Sequence, residues 1–457
     1  MSSRPGPTGP VSAANFSGRA ESRGVKRTFL AGAALGLMAA LAGCGNSNTT
    51  TVMFSAFAEL GQPNFNTPTA NGGSNTVSGT GLSGPVGSVA TNGTLFYVVD
   101  SNNSRILGWT TPPTTPSTPP NFVLGQLGLT TRAAGSTSSQ LAFPSSVSIA
   151  TNPTTSAVQL VVADTGNNRV LIWNTLPTTT AQPADVVIGQ AGFGTSKANG
   201  GGAAPSSTVL SSPTNAQIAN GQLFVADQGN DRVLIWNAVP TASSTAANIV
   251  LGQPDMVSDQ AQCIGTLPPN VTVATCPSQI NSFTNANYQL HNPNGLWTDG
   301  FAHLLVADTG NNRVMSWNGI PTSNGAAATN VVGQITFNTS TGTNGASGLR
   351  GPTGVGSGAA GFYVADQGNN RVLFYSTFPT SNGLAATSVF GQSDFTHTVA
   401  DDDDQNGVSD TTTNAAGGSV LVPTARTLNA PSGVSVYNGT VYITDQANNR
   451  IMLFSGQ

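Results

Sequence analysis

The chain has 457 residues, of which only 7% are charged, and its formal net charge is −4. This balance carries no basic patch, so nucleic acid is not an expected partner. The 54 glycines, together with many Ser, Thr and Asn residues, favour a chain with many tight turns.

The first 43 residues are predicted to be a signal peptide. A basic region ends at Lys26 and Arg27, and residues 29–41 form an apolar stretch of about 13 residues, which is short for a membrane span. Leu41-Ala42-Gly43-Cys44 resembles the lipobox of bacterial lipoproteins. The resemblance implies that Cys44 is acylated, for example with palmitate, and that residues 44–54 tether the chain to a membrane. Because Gly45 is not Asp, it also implies the outer membrane in a Gram-negative cell. A Cys that follows an ordinary signal peptide is the alternative.

The remaining residues, 55–457, contain six copies of one short motif. Its fullest form is Asp164-Thr165-Gly166-Asn167-Asn168-Arg169, and in every copy Asp precedes Arg by five positions. A repeat this regular indicates one supersecondary unit used many times. The pairs are Asp100 and Arg105, Asp164 and Arg169, Asp227 and Arg232, Asp308 and Arg313, Asp366 and Arg371, and Asp445 and Arg450.

Short apolar runs flank each copy. Residues 160–163 and 170–173 are rich in β-branched and aromatic side chains, and they predict two antiparallel strands joined by a tight turn. We expect Gly166 to adopt positive φ in this turn, so Ala447, which replaces it in the last copy, should distort that turn. Because the Asp and Arg pair recurs six times, we interpret it as a structural turn clamp rather than a catalytic pair.

Two further sequence markers recur with each copy of the motif. A Pro precedes each Asp by 14 to 20 residues. An apolar run that ends in Gly-Gln follows the Arg, as Gln126 follows Arg105 in the first copy. Each unit therefore holds four strands in about 41 residues, the size of a propeller blade. The prolines are Pro85, Pro144, Pro213, Pro293, Pro352 and Pro431.

The last copy lacks its Gly-Gln run, because the sequence ends at Gln457. The missing strand is found at the front, in residues 55–62, which end in Gly61-Gln62. We therefore predict an all-β, six-bladed propeller of four-stranded antiparallel blades. The N-terminal strand should complete the last blade, which leaves no long exposed edge.

The three markers together resemble the NHL-repeat family of six-bladed β-propellers, over about residues 55–457. The resemblance is closest to exported bacterial NHL proteins with Gly-Gln blade endings. It implies the propeller fold and an exported protein, but no particular activity.

The connections between successive units differ in length. From each Gly-Gln to the next Pro the spacing runs from 18 residues (Gln126 to Pro144) to 40 (Gln253 to Pro293). In a four-stranded meander these connections leave on the same face as the motif turns, and variable loops on a rigid scaffold are common binding surfaces. We predict a monomeric, non-catalytic propeller of the cell envelope that binds a protein or a carbohydrate on this rim.

Cys263 and Cys276 lie in the first long connection. In an exported protein such a pair predicts a disulfide, which would close a loop of about 14 residues. Two free buried thiols are the alternative.

The second long connection contains Asp402-Asp403-Asp404-Gln405-Asn406-Gly407-Val408-Ser409-Asp410. Oxygen ligands at positions 1, 3, 5 and 9 with Gly at position 6 match the start of a calcium loop. The pattern resembles the short calcium loops of dockerin-like and thrombospondin type-3 repeats. It implies side-chain ligation by Asp402, Asp404, Asn406 and Asp410 and carbonyl ligation by Val408. Thr413 at position 12 is not Glu, and a merely solvated acidic run is the alternative.

The alternative function is a propeller enzyme, a lyase or hydrolase with a site at the central channel. A related propeller lyase holds zinc with three His residues, and this chain has three: His291, His303 and His397. Two fall in one unit and the third in a long connection, so three ligands converging from different blades are not expected. A site made of carboxylates alone stays open.

Overall fold

Each copy of the motif folds as a turn between two strands that are buried at nearly every position. The computed structural model describes residues 53–74, 76–153, 155–259, 287–413 and 417–456. These residues form six four-stranded antiparallel sheets arranged as the blades of a β-propeller, which confirms the predicted fold class.

The strands follow the chain blade by blade after an initial strand, β1 (Ala58–Leu60). Blade one has β2 (Ala90–Thr91), β3 (Phe96–Asp100), β4 (Arg105–Trp109) and β5 (Phe122–Leu124); blade two has β6 (Ser146–Thr151), β7 (Val158–Asp164), β8 (Arg169–Trp173) and β9 (Val186–Ile188). Blade three has β10 (Pro213–Ala219), β11 (Gln222–Asp227), β12 (Arg232–Trp236) and β13 (Ile249–Leu251); blade four has β14 (Pro293–Thr298), β15 (His303–Asp308), β16 (Arg313–Asn318) and β17 (Asn330–Val332). Blade five has β18 (Pro352–Gly358), β19 (Gly361–Asp366), β20 (Arg371–Tyr375) and β21 (Ser388–Phe390). A separate hairpin, β22 (Thr411–Thr413) and β23 (Ser419–Leu421), precedes β24 (Pro431–Tyr437), β25 (Thr440–Asp445) and β26 (Arg450–Ser455) of blade six.

The helical elements are short. Single 3₁₀ turns join the second and third strands of blades one to five, at Ser101–Asn103, Thr165–Asn167, Gln228–Asn230, Thr309–Asn311 and Gln367–Asn369. Two further turns, Ala70–Gly73 and Ala198–Gly201, lie in connections between blades. In the described part of the chain, no helix is long and apolar enough to cross a membrane.

The core is divided into six parts, one between each pair of neighbouring blades. Successive side chains of the second and third strands point to opposite faces of the blade. One packs toward the preceding blade and the next toward the following blade. In β7, for example, Val161 contacts blade three and Val162 contacts blade one. This explains why these strands are apolar on both faces.

The N-terminal strand closes the ring as predicted. β1 pairs antiparallel with β26, in the register Ala58 to Leu453, Glu59 to Met452 and Leu60 to Ile451, so blade six has the order β1, β26, β25, β24. On the other side of blade six, Tyr442 packs against Phe96 of blade one with ring centroids 5.4 Å apart.

The expected conformation of the motif turn was wrong in one respect. Gly166 does not have positive φ; the left-handed residue lies two positions later, at Asn168 (φ 52°). Gly166 is required for a different reason, because a Cβ there would lie 2.7 Å from the carbonyl oxygen of Ala142. Ala447 therefore does not occupy a left-handed position; its N–H lies 3.2 Å from the Asn429 carbonyl, against 2.9 Å for Gly166 and Ala142.

Candidate functional site

The face that carries the motif turns and the outer-to-inner connections is called here the loop face. The motif aspartates tie these two kinds of segment together. In blade two, Asp164 Oδ1 accepts a hydrogen bond from the N–H of Ala142 (2.7 Å), at the end of the incoming connection, and Asp164 Oδ2 accepts from Asn167 Nδ2 (2.8 Å). The same Oδ2 forms an ion pair with Arg169 Nε at 2.7 Å, and neither side chain is exposed.

The guanidinium groups extend this clamp into the connections. Arg169 Nη1 donates to the carbonyls of Ser136 and Phe193, and its Nη2 donates to Thr137 and Gln140. All the guanidinium contacts are therefore made within the protein. The Nε to Oδ2 distance is 2.6 to 2.7 Å in each of the six copies, with both side chains fully buried: Asp100 and Arg105, Asp164 and Arg169, Asp227 and Arg232, Asp308 and Arg313, Asp366 and Arg371, Asp445 and Arg450.

The residue before each Arg links neighbouring blades. Asn168 Oδ1 accepts from the N–H of Ser212, which precedes the first Pro of blade three, at 2.7 Å. Asn449 Oδ1 makes the same bond to Gly84 across the seam between blades six and one, also at 2.7 Å. The other four links join Ser104 to Phe143, Asp231 to Asn292, Asn312 to Gly351 and Asn370 to Ala430.

Asp231 is the charged member of this series. Four of its counterparts are Asn residues that also donate Nδ2 to a carbonyl of the following connection, as Asn168 does to Ser196 (2.9 Å). A carboxylate has no such donor. Burial raises the pKa of Asp231 to about 6, and the nearby Asp308 and Asp259 carboxylates act in the same direction.

The central channel is lined by the inner strands of all six blades and has a volume of about 230 Å³. Its described lining contains no Asp, Glu, His, Lys, Arg or Cys, so none of the described carboxylates lies there. Hydroxyl and amide side chains supply its polar surface, among them Ser88, Ser148, Gln217, Ser357 and Ser435.

A shallow depression lies on the loop face at the seam between blades five, six and one. Its polar side chains are amides, including Asn102, Gln367 and Gln446. Gln367 Nε2 donates to Gln446 Oε1 at 3.1 Å. Asn102 and Ala447, which stand where the other motif turns have Gly, both line it, so the turns that depart from the repeat meet at this place.

The acidic segment is folded back on itself. Asp402, 1% exposed, accepts the N–H groups of Asn406 (3.1 Å) and Gly407 (2.8 Å), and Asp404 accepts the N–H of Asn406 (3.1 Å). Asp410 Oδ2 accepts the N–H of Asp403 at 2.8 Å. Among the described residues no three His, Cys, Asp or Glu side chains are grouped as a metal site, so calcium binding stays a prediction.

Neighbouring carboxylates of this segment have protein partners. Asp403 contacts Arg426 and accepts from Thr424. Asp401, which has φ 51° and is fully buried, accepts from Asn448 of the last motif (2.9 Å). The segment is thereby tied to blade six. The hairpin of β22 and β23 that follows it was not predicted from the sequence.

The three histidines lie apart. The N–H of His291 donates to Asp308 at 2.6 Å, at the entrance to β14. His303 Nδ1 lies 3.0 Å from Asp299 Oδ2, and its ring stacks on Phe378 with centroids 4.0 Å apart. His397 Nδ1 lies 2.9 Å from Asp394 Oδ1 and 3.2 Å from Ser393 Oγ. Both partners approach the same ring nitrogen, so this group cannot act as a Ser-His-Asp relay.

Three predicted site residues fall outside the described residues. Cys44, with the predicted lipid anchor, and both members of the predicted disulfide, Cys263 and Cys276, belong to this group. They stay predictions.

Two further repeated residues contribute to the scaffold. The Gln of each Gly-Gln donates Nε2 to the carbonyl before the motif Arg, as Gln126 does to Ser104 (2.9 Å). A Leu three positions before each marker Pro packs against the Gly of Gly-Gln; a Cβ on Gly125 would lie 2.7 Å from Leu141. This Leu was not predicted from the sequence, although its constant spacing from Pro is a usable signal.

Comparison with known proteins finds solved structures of diverse kinds. No family model matches the chain, and no curated protein matches it. Among solved structures, the WD40 propeller domain of Doa1 covers 88% of this chain and 97% of its own, with 8% identity and a TM-score of 0.39. Virginiamycin B lyase from Staphylococcus aureus covers 82% and 95%, with 10% identity and a TM-score of 0.34. An auxiliary nutrient binding protein from Bacteroides thetaiotaomicron covers 82% and 70%, with 11% identity and a TM-score of 0.39. Similarities this low transfer no function to this chain.

Proposed function

We propose that this chain is an exported NHL-type propeller, anchored to the cell envelope through a lipid on Cys44, that binds a protein or carbohydrate on its loop face without catalysis. The observation that carries this proposal is the contrast between variable connections and the clamps that fix their ends. Arg169 and its counterparts hold both the incoming and outgoing connections by their carbonyls. Variable loops with fixed ends form a preorganised surface, which reduces the entropy lost on binding.

The chemistry of this surface favours an uncharged ligand rich in hydrogen-bonding groups. Asn102, Gln367 and Gln446 present both donors and acceptors in the seam depression, and the described lining of the central channel is uncharged. A carbohydrate hydroxyl or a peptide backbone fits such groups. The described lining of the channel supplies no acid and base pair, so we favour binding over the lyase or hydrolase alternative.

A glycan array probed with the purified protein tests carbohydrate binding, and a peptide array tests protein binding. Gln446→Ala and Asn102→Ala should weaken any specific signal at least about fivefold, because each removes hydrogen bonds at the seam depression. Thr94→Ala, an exposed position in the first hairpin turn of blade one on the opposite face, is the matched control. Equal loss in the control, or turnover of a bound glycan or peptide, contradicts the proposal.

Membrane anchoring is tested separately. The wild-type protein expressed with its N-terminal segment should partition into the detergent phase on Triton X-114 extraction, whereas Cys44→Ser should stay in the aqueous phase. Aqueous partitioning of both proteins would rule out the lipid anchor and leave the binding proposal intact.

We also propose that the acidic segment binds calcium through Asp402, Asp404, Asn406, Asp410 and the Val408 carbonyl. Support comes from the sequence pattern and from the turn that brings Asp402, Asp404 and Asn406 together. Calorimetric titration with calcium should give heat for the parent protein and markedly less for Asp404→Ala. No heat from the parent protein ends this idea.

A further inference from the structure

The strand that closes the ring carries a buried carboxyl group where every other blade has a valine. Glu59 precedes Leu60-Gly61-Gln62, and its side chain is 1% exposed. At the same position of the outer strand, the other five valines pack into the core toward the preceding blade. They are Val123, Val187, Val250, Val331 and Val389, each 0 to 8% exposed.

The charge of Glu59 is poorly compensated. Its Oε2 lies 3.4 Å from Arg450 Nη1, and its Oε1 has no hydrogen-bond partner. Arg450 is already committed, because its Nε pairs with Asp445 at 2.7 Å and its Nη1 donates to the Phe65 carbonyl at 2.7 Å. The guanidinium therefore faces two buried carboxylates, and full ionisation of Glu59 leaves a net negative charge in a low-dielectric site.

Among the described residues, Glu59 has no further charge nearby that would balance it. The charged groups that act on it are Arg450 and Asp445, both from blade six. On the side of blade five, the core around its strand partner Met452 is built from apolar and aromatic side chains such as Phe374 and Phe390.

The closing strand also lacks a pair of hydrogen bonds that four of its five counterparts have. In blade one, the outer strand is clasped by the loop of blade two, where the N–H of Ala181 donates to the Val123 carbonyl and Thr180 Oγ1 accepts the Val123 N–H. Equivalent pairs clasp Val187, Val250 and Val331. Within the described residues, no such clasp reaches Glu59, and none reaches Val389 of blade five.

We propose that Glu59 makes the closure of the ring sensitive to pH, the closing strand being held more firmly when this carboxyl is protonated than when it is ionised. The cause is the burial of the carboxyl. Burial raises the pKa of Glu59 from 4.5 to about 7, and the Arg450 guanidinium opposes the rise without cancelling it. Because the pKa is higher in the closed state, the stabilisation is complete below about pH 4.5 and is lost as the pH rises through about 7.

Hydrogen exchange on the full-length protein between pH 5 and pH 8 tests this proposal. The protection factors of β1 should fall with rising pH by up to about tenfold per pH unit until the pH reaches that of the raised pKa. The outer strand of blade two, Val186–Ile188, carries Val187 at the equivalent position and serves as the internal control, so its protection should change little over this range.

Two variants separate Glu59 from the other buried carboxylates. Glu59→Gln keeps the shape and Glu59→Val copies the other blades, so both should abolish the pH dependence of β1 and raise its protection at pH 8. If both variants keep the wild-type profile, the dependence belongs to another group and the proposal fails. A wild-type β1 whose protection does not change relative to β9 overturns it equally.

Discussion

Six fully buried arginines carry a large desolvation penalty in this protein. Transfer of a guanidinium out of water costs several kcal/mol unless its charge is paired and its N–H groups are bonded. Arg169 meets both conditions, with one carboxylate and four carbonyls as acceptors. The clamp therefore stabilises the blade only as a complete unit, and removal of one member leaves the other buried and uncompensated.

Replacement of Arg169 by Met should lower the free energy of unfolding by about 3–5 kcal/mol, because Asp164 would keep its burial and lose its counter-charge. Chemical denaturation of the two proteins measures this difference. Arg426→Ala is the control: Arg426 is 45% exposed and pairs with Asp403 near the surface, so its loss should cost less than about 1 kcal/mol. Equal effects of the two substitutions would show that the buried clamp is not a special source of stability.

At the scale of single elements, the motif turn is shaped by close contact between two backbones. The N–H of Gly166 donates to the Ala142 carbonyl at 2.9 Å, which leaves no room for a side chain. The blades without Gly show the effect of a side chain: the corresponding distance is 3.1 Å for Asn102 and 3.2 Å for Ala447. The loop face is thus slightly looser at the seam, where these two turns meet.

Gly166→Ala should destabilise the protein by about 1–3 kcal/mol, because the new methyl group overlaps the Ala142 carbonyl. Gly192→Ala is a matched control, since a Cβ at Gly192 meets nothing within 4 Å and its φ is not positive. That control should be neutral or gain a few tenths of a kcal/mol from reduced chain entropy. Thermal denaturation compares them, and a harmless Gly166→Ala would refute the close-contact explanation.

The sequence predicts the elements of this fold far better than the details of its turns. Three spaced markers, each present six times, fix strand order, blade number and closure, because each marker occupies an obligatory place in the repeat. A glycine, in contrast, has two possible reasons to be present, positive φ or close approach, and Gly166 shows that spacing alone does not distinguish them. The Asn168 link likewise depends on a contact distant in sequence.

At the scale of the whole molecule, the ring is weakest at its seam. Around the rest of the ring, covalent chain continuity links each blade to the next, and loops clasp the outer strands of blades one to four. The outer strand of blade six is instead β1, a three-residue strand from the N-terminal part of the chain, and it contains the buried Glu59. Its contribution is hydrophobic as well as hydrogen-bonded, because Leu60 is 3% exposed and packs with Leu82 and Ile451.

Deletion of residues 55–60 should therefore open the ring at blade six. Loss of the Leu60 burial alone removes about 1.5–3 kcal/mol, and the freed edge of β26 becomes a template for pairing with another chain. We expect a lower melting temperature together with concentration-dependent oligomers in analytical ultracentrifugation. Deletion of residues 46–51 shortens the chain by the same six residues outside the predicted propeller, and it should leave both properties unchanged. An intact melting temperature and a monomer after the first deletion would mean that the other strands of blade six hold the ring closed on their own.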